Sequence, residues 1–130
     1  MNNVWVAETE GIWVQVEATY LPERSSPPEK RYLFAYRIRI LNRGDQQAQL
    51  LQRYWLITDA DGEHEEVEGP GVVGNQPTLA PGEAFEYTSY CPLPTEVGTM
   101  EGHFRMQRDS GETFLAEVPR FTLALPHAVN

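Results

Sequence analysis

The stretch Gly69-Pro-Gly71-Val-Val-Gly74-Asn-Gln-Pro77 decides how this chain is read. Three glycines at this spacing match the loop whose backbone amides hold a dinucleotide pyrophosphate, but that loop must follow a strand and open a helix within a βαβ unit. Here Pro70 sits inside the loop, Pro77 and Pro81 follow closely, and Glu83 to Tyr90 then alternates apolar and polar residues as a strand does. The spacing therefore predicts a shaped loop on an all-β domain, bridging two sheets with no helix behind it.

Working outward, the same period of two recurs along the chain. Ile12, Val14, Val16, Ala18 and Tyr20 alternate with Trp13, Gln15, Glu17 and Thr19, and Tyr32, Phe34, Tyr36, Ile38 and Ile40 alternate with Leu33, Ala35, Arg37, Arg39 and Leu41. Between them, Leu21 to Lys30 carries three prolines and reads as an extended, flexible connection. Gln47 to Asp59 is partly apolar on both faces, as a strand between two neighbours is. Asp59-Ala-Asp-Gly62 turns the chain, and Glu63 to Glu68 makes a short acidic strand near an edge. Phe85, Tyr87 and Ser89 share a face until Cys91-Pro-Leu-Pro94 breaks their strand. Met100 to Met106 and Phe114 to Leu125, the latter crossed by Pro119, complete the set. About seven short strands joined by turns predict an antiparallel two-sheet sandwich of immunoglobulin or fibronectin type III size. A small barrel is the competing architecture.

A chain of 130 residues makes one domain. At this length roughly two-thirds of the unfolded surface is removed from water, so a core forms without covalent staples. Ten Lys and Arg against 19 Asp and Glu give a formal charge of -9, which opposes binding to nucleic acid or an anionic membrane. The lone Cys91 has no intrachain partner, the N-terminus lacks the basic and apolar regions of a signal peptide, and no run is long enough for a membrane helix. The expectation is a cytoplasmic protein.

Candidate chemistry is thin. Successive amides of the glycine loop can form an anion nest, yet Glu65, Glu66 and Glu68 stand beside it and repel phosphate. The acidic run from Asp59 to Glu68 misses the calcium-loop pattern, because Gly62 falls at position four and Pro70 at position twelve. His64, His103 and His127 share no ligand spacing with Cys91 or one another. Ser89 is not in a nucleophile elbow, and Cys91 has no base near it in sequence. Arg37 and Arg39 form a short basic stripe expected to pair with the chain's own carboxylates. Trp13 and Trp55 read as core or partly buried anchors, and Trp5, near a mobile end, as the tryptophan open to contact. No pattern asks for a cofactor, a metal or a catalytic constellation.

Tyr32-Leu-Phe-Ala-Tyr-Arg-Ile-Arg-Ile40 with Asn42-Arg-Gly44, Leu50-Leu-Gln-Arg-Tyr-Trp-Leu-Ile-Thr-Asp59, the glycine loop with Leu79-Ala-Pro-Gly-Glu83, and Gly98-Thr-Met-Glu-Gly-His-Phe-Arg-Met106 closely resemble the bacterial ApaG family. The likeness covers roughly residues 9 to 123. It departs from the family at Tyr54, where histidine is common, at Tyr90, where a small residue is common, and at Arg120, where a second proline often sits. The resemblance implies a fibronectin type III-like sandwich linked to cobalt resistance and magnesium efflux. It also implies a pyrophosphate-containing ligand at Gly69, Gly71 and Gly74, and a surface for partner proteins.

Residues and resemblance together predict a single non-enzymatic binding domain over residues 1–130. It acts through the Gly69 to Pro77 loop and the adjacent sheet face, on a partner protein or, alternatively, on a pyrophosphate held by the amides of Gly71, Val72, Val73 and Gly74. Exposed strand edges leave room for a homodimer without requiring one.

Overall fold

The computed structural model describes residues 3–129. Among them nine strands appear in chain order: β1 (Val4–Thr9), β2 (Ile12–Tyr20), β3 (Tyr32–Asn42), β4 (Ala48–Asp59), β5 (His64–Pro70), β6 (Thr78–Leu79), β7 (Ala84–Leu93), β8 (Val97–Arg108) and β9 (Thr113–Ala124). They form two antiparallel sheets, β1-β2-β3-β7 and β5-β4-β8-β9, with β6 added alongside β4. The sheets do not join into a barrel, since β5 and β7 have no common ladder. The two inner faces supply the core. Ile12, Val14, Val16, Ile38 and Ile40 come from one sheet, Leu50, Phe104, Met106, Phe121 and Leu123 from the other, and all are fully buried. Trp55 lies at the centre, edge-on to Tyr36, Phe104 and Phe121 at 5.6, 6.2 and 5.9 Å. Burying a large aliphatic or aromatic side chain contributes about 1.5–3 kcal/mol, so this double layer is the main source of stability.

The count is nine strands where the periodicity predicts seven. β1 is missed because Val4, Trp5, Val6 and Ala7 are apolar in both phases and only half of the strand packs inward. Trp5 is not held out for contact: its ring meets Phe121 at 5.9 Å. β6 is two residues long and carries no period. Residues 21–30 are folded rather than loose, as two 3₁₀ turns tied to β3 by the Ser25 hydroxyl, which donates to Leu21 O and accepts from the Leu33 amide.

β7 runs on through Pro92, where the sequence predicts a break. The Asn42 amide donates to Glu83 O at 3.0 Å, which fixes the phase: odd residues of β7 bond β3, and Pro92, an even one, turns its nitrogen to the free edge. A bulge at Leu51 shifts the phase of β4, so that Leu50 and Trp55, an odd number of residues apart, share the buried face.

The expected bridge between sheets is elsewhere. β5 and β6 pair with the same strand, β4, so residues 69–77 return to their own sheet. The crossing to β7 follows β6 and is organised by Asn42, which is 0% exposed. Its side chain donates to Gln46 O and Leu79 O, and its carbonyl accepts from the Gly82 amide.

Candidate functional site

The glycine stretch is a built hairpin tip. The Val72 and Asn75 backbones exchange both hydrogen bonds at 2.8 Å, and the two residues between them have positive φ, +41° at Val73 and +83° at Gly74, the pattern of a type I′ turn. Gly71 has φ +62°, and a Cβ there would stand 2.2 Å from Asn75 O, so only glycine fits. The base of the tip is tied to β4. Gly71 N–H and the Gln76 side-chain amide both donate to Leu51 O at 2.9 Å, and Arg53 Nη1 donates to Pro70 O and Gly71 O at 3.0 and 3.1 Å. The guanidinium lies flat against Gly69, where a Cβ would come within 3.0–3.2 Å of it.

Side chains divide sharply at the tip. Val72 is 1% exposed and anchors the turn in the core, whereas Val73 is 54% exposed. A β-branched residue in the left-handed region is an outlier, costing roughly 1–2 kcal/mol, and here the chain spends it on presenting an apolar group to solvent.

The five residues singled out in the sequence are therefore contiguous but do not converge on one ligand. The amides of Gly71 and Val72 are committed to Leu51 O and Asn75 O. Of the five, Val73 and Gly74 keep amides without a carbonyl partner among the described residues. No helix begins at Gly74, and the chain runs on from it into β6.

Beside Gly69 and Pro70, a cavity of about 500 Å³ opens on the outer face of the five-stranded sheet, lined by Gln52, Tyr54, Glu68, His103 and Arg105 among others. Tyr54 and His103, cross-strand partners, stack at 5.0 Å. Desolvation first, then the hydrogen bond from Tyr54 Oη to Glu66, raise the phenol's pKa and keep it a neutral donor. Sequence reasoning missed Tyr54, His103 and Arg105 as neighbours of the loop because they approach it across the sheet, and strand register is not written in any local motif.

The remaining candidates have local partners. Arg37 and Arg39 both reach Glu86, at 3.0 and 3.5 Å, as the carboxylate-pairing expectation has it. Asp59 accepts from the Asp61 and Glu63 amides, His64 meets Thr58 Oγ1 at 3.1 Å, and His127 meets Glu96 at 2.7 Å. Cys91 is buried, and desolvation pushes its thiol up to about 12. It stays protonated at neutral pH and is a poor nucleophile. Burial likewise raises Tyr87 well above the ordinary phenol value, and its hydroxyl has no hydrogen-bond partner among the described residues.

The fold and the hairpin define a small antiparallel sandwich domain whose distinguishing feature is a glycine-shaped tip on one sheet. Comparison with known sequences makes the class specific. The sequence model of the ApaG domain matches residues 22–108, and the chain belongs to the ApaG family. It is 53% identical to Protein ApaG of Anaeromyxobacter dehalogenans over 124 residues, covering 95% of this chain and 98% of that one. It is 52% identical to Protein ApaG of Methylobacterium sp. (strain 4-46), covering 95% of both. A crystal structure from Bordetella pertussis, described under the name ApaA, superposes with a TM-score of 0.84 at 45% identity, covering 96% of this chain and 95% of that one.

Proposed function

We propose that this chain is a non-enzymatic binding module whose Gly69 to Pro77 hairpin, with the adjoining outer face of the five-stranded sheet, docks on a partner protein. One observation carries the reading: Val73 is held half out of the protein in an unfavourable backbone conformation, on a turn fixed from below by Val72, Gly71 and Arg53. Strain kept in an otherwise well-anchored turn is commonly tied to function. The protonated, buried Cys91 thiol supports a non-enzymatic role. The link to cobalt and magnesium homeostasis that the family resemblance implies then enters through the partner. A pyrophosphate-containing ligand is the second reading, favoured only by the uncommitted amides of Val73 and Gly74.

The test is Val73→Asp, which alters the tip and leaves the core untouched. Partners captured by the wild-type chain are expected to be lost by this variant at a melting temperature no lower than that of the wild type, and equal capture by both would overturn the reading. Titration with inorganic pyrophosphate, followed at the Val73 and Gly74 amides by NMR, decides the second reading, still signals counting against it.

A further inference from the structure

The sandwich has four strand edges, and they are not alike. On one side β1 and β9 pack together, and the Glu117 amide donates to Thr9 Oγ1 at 3.1 Å, which blunts that side. On the other side β7 carries Glu86, neutralised by Arg37 and Arg39. β7 also leaves the backbone groups of its even residues at a free edge, ending at Pro92, and β5 differs from it in charge.

Two hydrogen bonds beyond its ends set the phase of β5. The Asp59 amide donates to Glu63 O at 3.0 Å and the Gly71 amide to Leu51 O at 2.9 Å, so the odd residues between them bond β4. The N–H and C=O groups of His64, Glu66 and Glu68 therefore point to the free edge, because β4 is the sole ladder partner of β5 among the described residues. Pro70, next in that phase, has no N–H, and its carbonyl accepts from Arg53. The row of open donors thus has a defined end beneath the hairpin tip.

The charge on this edge is uncompensated. Glu63, Glu65, Glu66 and Glu68 are exposed, and none of the ion pairs among the described residues reaches them. Tyr54 Oη donates to Glu66 and leaves its charge in place. Acidic side chains on an edge ordinarily deter pairing, and a second copy of this chain would set Glu66 and Glu68 against its own carboxylates. A strand of opposite sign meets no such barrier.

We infer that β5 receives an extended, basic segment of a partner protein as an added strand. The segment's main chain pairs with His64, Glu66 and Glu68, and its Lys or Arg side chains meet the carboxylates of Glu65, Glu66 and Glu68. Val73 stands at the Pro70 end of the row to meet an apolar residue. The charges that keep copies of the protein apart thereby select the partner. This inference rests on the protein-docking reading and names its partner class.

The probe is a capped peptide alternating lysine with threonine, and the control carries an N-methyl group on every residue, keeping the charge and removing the N–H groups of both phases. Hydrogen exchange of the full chain is followed residue by residue at physiological salt. The unmethylated peptide is expected to slow exchange of the Glu66 and Glu68 amides about tenfold or more, as new hydrogen bonds require, and to leave Val67 and Gly69 unchanged. Glu66→Pro, which removes an outward N–H in the phase Pro70 already occupies, is expected to weaken the peptide about tenfold. Equal protection by the N-methylated peptide would show charge attraction without strand addition and overturn the proposal, as would no protection at all. Failure here alongside loss of partner by Val73→Asp removes the added strand and keeps the docking hairpin. Protection here with full partner capture by Val73→Asp does the reverse.

Discussion

The chain reverses at residues 71–75 and again at residues 108–112, and the two tips use glycine in different ways. At the second, Arg108 N–H donates to Glu112 O, Gly111 N–H donates to Arg108 O, and Gly111 takes φ +91° with nothing within 4 Å of where a Cβ would sit. That turn asks only for a left-handed residue. At the first, Gly71 is left-handed and also faces Asn75 O, Val73 is left-handed without being glycine, and Arg53 and Gln76 stitch the tip to β4. One reverses the chain; the other reverses it and holds a side chain out. Positive φ is therefore a poor guide to function, and what surrounds it separates a connection from a contact.

Substitutions can break or sharpen this contrast. Gly71→Ala carries the largest effect, about 3 kcal/mol of destabilisation, from the conformational cost plus the collision with Asn75 O, or roughly 10 °C in melting temperature. A loss no greater than that of Gly111→Ala would erase the distinction. Arg53→Met keeps the stem and removes both carbonyl contacts; about 1–2 kcal/mol is expected, with faster amide exchange confined to residues 69–76. Gly111→Ala should cost about 1 kcal/mol, conformational strain alone, read from the same thermal melts. Smallest and opposite in sign, Val73→Asn should stabilise by about 0.5 kcal/mol, because asparagine tolerates the left-handed region that valine resists. A destabilising Val73→Asn would mean that Val73 supports the tip rather than being displayed by it.

Much of the sandwich is visible in residue order because inward residues recur with period two, as Ile12, Val14 and Val16 or Phe104 and Met106 show. The period fails where geometry interrupts it. The Leu51 bulge hides that Leu50 and Trp55 share a face, and Pro92 looks like a stop until its phase against β3 is known. At the hairpin, Gly71 and Gly74 announce positive φ, and the acidic edge is plain in Glu63 to Glu68. The part played by Arg53 is not, since 17 and 18 residues separate it from the carbonyls it holds. Distance along the chain, rather than residue type, sets what local reading can recover.

The contact between Arg53 and Gly69 has an evolutionary corollary. A side chain at position 69 and a guanidinium reaching across from position 53 compete for the same volume, so among descendants of this fold the two sites should change together. A lineage that acquires even alanine at 69 would push the guanidinium back by a few tenths of an ångström and loosen its hold on the tip.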